Sequence, residues 1–161
     1  MNSRAPWIVV TVIAVAALAA GGAVRAADPT PADVKVSVSA PIPAAPGGHS
    51  EVIVTFTIPE GIKINRFPPI KLTLTAAEPV SLDKAEWRQG SDQPIEKVED
   101  FPFKTVEPMS AGFGVAPGAA PGKYPVSGKI RFITCIQKTG SCTQTARDIA
   151  FEATVTPPRA N

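Results

Sequence analysis

The chain has 161 residues, 44% hydrophobic and 19% charged, with 16 Lys plus Arg against 14 Asp plus Glu and a single His. A net charge of +2, with the cations scattered singly along the chain, argues against a nucleic-acid partner, because holding a polyanion takes clustered Lys and Arg that release counterions. A membrane-surface role loses support for the same reason, and two cysteines are too few for a small domain that depends on bridges to fold.

Arg4 precedes an apolar run over residues 7–20 that is interrupted only by Thr11; Gly21-Gly22 then loosens the chain before Val24-Arg25-Ala26. This pattern predicts a cleaved secretory signal over residues 1–26. The rival, an uncleaved anchor, is disfavoured because the run falls short of the ~20 apolar residues a spanning helix needs. Cleavage removes Arg4 and Arg25 and no acid, so the mature chain carries fourteen basic and fourteen acidic residues. Residues 27–161 are expected to form one domain, monomeric and not membrane-spanning, in an oxidising compartment where a disulfide persists.

Stretches rich in Pro, Ala and Gly at 27–32, 41–48, 116–122 and from Pro157 onward cannot sustain helices. Between them, two-residue alternation of Val34, Val36, Val38, then Val52, Val54, Phe56, Ile58, then Ile70, Leu72, Leu74 predicts half-buried strands. Further strands are expected over 80–87, 101–106, 112–115, 123–137 and 141–156. About eight strands separated by turn signals at ~8 to 12 residues predict an all-β fold, an immunoglobulin-like antiparallel β-sandwich.

The two cysteines, Cys135 and Cys142, flank Lys138-Thr139-Gly140 on the last expected hairpin. An even loop over 137–140 makes Cys135 and Cys142 directly opposed, at a Cα separation of ~4.5 to 5.5 Å that a disulfide spans. It also puts Gly140 where positive φ is often required. A three-residue loop instead sends the two side chains to opposite faces. A bridge closing so short a loop removes less unfolded-state entropy than one joining distant strands, whereas a hairpin tip lets an attacking thiolate approach. From the residues alone, a redox-active and a structural bridge stand equally open.

Other chemistries find little purchase. Two thiolates need further ligands to hold a metal, and His49 lies far off in a Pro-Gly stretch, so neither metal nor organic cofactor is expected. The lone His and the absence of a nucleophile elbow argue against a hydrolase, and Asn65 reads as a turn residue. Lys138, the cation closest in sequence to the cysteines, reads as a solvated turn residue. Trp87, Arg88 and the loop through Asp92 offer the surface that a redox-inert binding module would use, with the bridge merely fixing a hairpin. An ordinary loop beside a core tryptophan is the plainer reading.

The run Gly61-Ile62-Lys63-Ile64-Asn65, then Pro68-Pro69-Ile70-Lys71-Leu72, and the late Phe132-Ile133-Thr134-Cys135 with Gly140 and Cys142, resembles the N-terminal periplasmic domain of the thiol:disulfide interchange protein DsbD. Stand-alone relatives are described as disulfide-bond corrector domains, and the resemblance spans approximately residues 34–155. It implies a periplasmic, immunoglobulin-like sandwich in which Cys135 and Cys142 shuttle between dithiol and disulfide. Electrons would come from a separate membrane donor and pass between thioredoxin-like redox partners. It further implies an aromatic loop over the cysteines, for which Asp100-Phe101-Pro102-Phe103, with Phe101 and Phe103, is the nearest candidate. Core or edge packing is the ordinary alternative for those two rings.

Overall fold

The computed structural model describes residues 28–158, and the expected signal at 1–26 lies outside them. Alternating apolar and polar residues form β1 (Lys35–Val38), β2 (His49–Thr57), β3 (Ile62–Ile64), β4 (Ile70–Ala76), β5 (Val80–Leu82), β6 (Glu86–Gln89), β7 (Met109–Val115), β8 (Gly122–Ile136) and β9 (Cys142–Val155). Strands β1, β2, β7 and β5 make a four-stranded sheet in that order; β3, β4, β6, β8 and β9 make a five-stranded one. The strand pairings within both sheets are antiparallel. Stacked face to face, the sheets give the antiparallel sandwich of immunoglobulin-like type expected from the strand spacing.

The core is the sum of the inward-facing positions: Val52 and Val54 from β2, Ile70 and Leu72 from β4, Phe113 from β7, and Val126, Ile130 and Phe132 from β8. Each such side chain contributes roughly 1.5–3 kcal/mol by leaving water. Phe132 meets Phe56 of the other sheet edge to face, with ring centroids 5.2 Å apart, so this pair joins the two layers. Strand β8 is the spine of the five-stranded sheet. It pairs with β9 from Gly122↔Val155 to Cys135↔Cys142, and its other edge takes β4 and then β3. At Gly128 a Cβ would fall 2.0 Å from the Thr73 carbonyl oxygen, so this close approach of β4 and β8 admits only glycine.

Three local expectations differ from the structure. The stretch 80–87 is two strands in different sheets, β5 beside β7 and β6 beside β4. The chain crosses over at Asp83-Lys84, where the Asp83 amide donates to the Gly112 carbonyl and the Asp83 carboxylate engages His49. His49 is accordingly the first residue of β2, not part of a loose loop, and its Nε2 lies 2.9 Å from Asp83 Oδ1. The stretch 101–106 forms no strand. Its one bridge is Asn65↔Pro102, and Pro102 has no N–H with which to extend a ladder. The short β3, only three residues long, pairs with the end of β8.

Candidate functional site

The tip of the β8–β9 hairpin carries the bridge. The Ile136 amide donates to the Ser141 carbonyl at 2.9 Å and the Gly140 amide to the Ile136 carbonyl at 2.8 Å, which closes the loop over 137–140. Gly140 turns the chain at φ +71°, a conformation that costs any residue with a Cβ. Because 136 and 141 are the hydrogen-bonded pair, the preceding pair, Cys135 and Cys142, occupies the non-hydrogen-bonded site where facing side chains come closest. Their Cα atoms are 4.0 Å apart and their sulfurs are joined at 2.04 Å. The even loop is therefore the one adopted.

Directly beneath, Thr134 is fully buried and its hydroxyl reaches both the Thr143 carbonyl (3.3 Å) and Thr145 Oγ1 (3.1 Å). Thr134 faces Thr143 one step before the cysteines, and its hydroxyl contact runs diagonally to Thr145, which faces Phe132. Alternation then puts the cysteines on the opposite, outward face. Cys142 is exposed and Cys135 half-buried between β9 and β3.

Beside the bridge lies a concavity of about 480 Å³, whose apolar lining includes Val98, Phe101, Pro102 and Ile136 along with both cysteines. The 98–103 segment is held against the end of β3: the Arg66 amide donates to the Phe101 carbonyl at 2.6 Å and the Phe103 amide to the Ile64 carbonyl at 2.8 Å. The two phenylalanines part company here. Phe101 flanks the bridge without burying it, whereas Phe103 packs on the core and lines a separate cavity with Phe56, Ile58 and Val106. Val98 projects outward, 75% exposed, at the rim of the concavity.

The cation closest in sequence is turned away: Lys138 Nζ sits 3.0 Å from Asp28 Oδ2. Lys63 takes its place. It stands directly opposite Cys135 in the β3–β8 register and lines the concavity that holds both cysteines. Its position depends on pairing between segments far apart in the chain, for which the local sequence holds no signal. Asn65 lines the same concavity, its amide donating to the Ile133 carbonyl at 2.9 Å. His49 pairs with Asp83 in the four-stranded sheet, and no group of three or more His, Cys, Asp or Glu side chains converges among the described residues. Trp87 is half-buried against the core, and Arg88 pairs with Asp92 at 2.5 Å.

No family model matches this chain, and no curated protein matches it at a significant level. Among solved structures, a cohesin–dockerin complex from Clostridium thermocellum is similar at 16% identity and a TM-score of 0.41. The match covers 76% of this chain and 99% of that one. A likeness at that level carries no functional argument.

Proposed function

We propose that this protein is a thiol–disulfide exchange module of the DsbD N-terminal type, exported to the periplasm, that relays electrons between thioredoxin-like partners through Cys135 and Cys142. The observation that carries this reading is the position of the bridge. It lies on the outward face of a hairpin tip, with Cys142 exposed and an apolar concavity alongside.

Exchange requires in-line approach of a thiolate to one sulfur of the bridge. A partner thiolate attacks Cys142, the exposed member; a partner–Cys142 bond forms, the Cys135–Cys142 bond breaks, and Cys135 leaves with the electron pair as a thiolate. Lys63, opposite Cys135 on β3, supplies a positive charge beside that leaving group, and a nearby cation favours thiolate over thiol. The partner's second thiolate then attacks its own sulfur in the mixed disulfide and releases Cys142. The two protons taken up come from solvent or from the partner thiols, so the partner ends oxidised and the module holds two thiols. Reversing the steps on an oxidised target passes the two electrons on. The apolar concavity offers the partner a surface to press against while the sulfurs align.

Equilibrating the purified protein against defined ratios of reduced and oxidised glutathione tests this reading. A reduction potential between about -270 and -120 mV places it among exchange proteins. A potential below about -300 mV, with a bridge that resists reduction, leaves a redox-inert sandwich with a structural disulfide.

A further inference from the structure

Side chains on β8 alternate between core and solvent, so Cys135, Ile133 and Arg131 share one outward face while Ile130, Phe132 and Thr134 are buried. Across that face Arg131 stands opposite Lys71, and Lys71 opposite Arg88, which gives three cationic residues in one row over β8, β4 and β6. Like charges placed directly opposite one another destabilise a sheet. Two of the three are compensated, since the Glu86 carboxylate bridges Lys71 and Arg88 and Asp92 holds Arg88 as well. Arg131 is exposed and joins no ion pair among the described residues. The three cations line a cavity of about 290 Å³, closed on the side of the bridge by Ile133 and Gln144. Each of those two lies two residues from a cysteine along its own strand.

We propose that this cationic row is the docking point for an acidic side chain of the exchange partner, carried on the partner's surface roughly 13 Å from its reactive thiol. That distance is the four-residue step from Arg131 to Cys135 along β8 at ~3.3 Å per residue. The inference rests on the exchange reading above and adds a recognition element to it. Charge complementarity and the shared face select a protein carboxylate. A row of three cations with two acids among them is too short and too nearly neutral to track a nucleic acid, whose phosphates recur every ~1.7 Å along a duplex. Docking there orients the partner so that its thiolate meets Cys142 from the open side of the hairpin.

The test uses the purified oxidised protein and two synthetic thiol peptides of equal length, one with Glu and one with Gln four residues from its cysteine, beside dithiothreitol. At low ionic strength the Glu peptide is expected to reduce the bridge roughly two- to fivefold faster than the Gln peptide, the scale of one exposed ion pair. The gap should close near 1 M salt, where screening shortens to ~3 Å. Arg131→Lys should keep the preference and Arg131→Glu should abolish or invert it, with circular dichroism confirming that both variants fold. Equal rates for the two peptides, or a preference that survives Arg131→Glu, would overturn the docking proposal and leave exchange standing. A bridge that neither peptide nor dithiothreitol opens reversibly would sink the exchange reading itself.

Discussion

The two ends of the β8–β9 hairpin use the same backbone for opposite purposes. Toward its base, Val126, Ile130, Phe132, Ile149 and Ala153 are all buried in the core, and the strand between them is covered by β4 on its other edge. At its tip, past the Thr134–Thr145 pair, both strands run out of the core and turn a disulfide toward solvent. The base holds the sandwich together through area removed from water; the tip contributes little to that and is free to carry chemistry. A redox pair placed at the base would be sealed by packing, and one placed on a floppy loop would lose its register. The threonine pair marks the step between the two regimes.

Substitutions at each end break this contrast in different ways. Phe132→Ala, at the base, is expected to lower stability by about 3–5 kcal/mol through lost transfer energy and the cavity left opposite Phe56. Urea unfolding reads this directly, and the folded fraction should keep its reduction potential. Replacing Cys135 and Cys142 together by Ser should abolish exchange while costing at most about 2.5 kcal/mol, the entropy of so short a closed loop. A larger loss would make the bridge a structural staple after all. Gly140→Ala, at the turn, should cost about 1 kcal/mol because a Cβ is strained at its positive φ although nothing crowds the site. Thermal unfolding with the bridge oxidised and reduced would sharpen this, since the reduced tip relies on the turn alone.

The smallest expected effect is that of acid on the outer face. The Lys71 side chain, and after it Arg88, hydrogen-bonds the Glu86 carboxyl and holds it below the ordinary glutamate value. Lys129 does the same for Asp148. A carboxylate whose folded value is depressed stabilises the fold above its unfolded pKa, and that contribution is lost as pH falls through the folded value. Thermal midpoints should therefore drop as pH falls below the usual carboxylate range, with Glu86→Gln removing a small part of the drop. These groups are solvent-exposed, so screening keeps each contribution minor.

The strands that alternate over five residues or more were legible because the signal is local, as in Val52, Val54 and Phe56 on β2. The hairpin is legible for the same reason, with Gly140 and two cysteines within eight positions, but its register is settled by the even loop that the structure adopts. Where expectations failed, a long-range demand overrode the local pattern. Residues 80–87 look like one strand but divide because Val80 and Trp87 belong to different sheets. Residues 101–106 carry the aromatic and β-branched content of a strand, yet Pro102 limits them to a single bridge against Asn65. Three-residue β3 is too short to show a period at all.

The two-residue repeat of extended chains already carries the all-β sandwich in the sequence, and it narrows the cysteine hairpin to two loops, of which the even one makes Cys135 face Cys142. Only the tertiary structure decided that Lys63 stands beside Cys135, that Phe101 flanks the bridge while Phe103 joins the core, and that cations scattered along the chain gather into a row at Arg131, Lys71 and Arg88. Those neighbours come from strands distant in sequence. Their pairing is set by the burial of the whole inner face and not by the residues next to them.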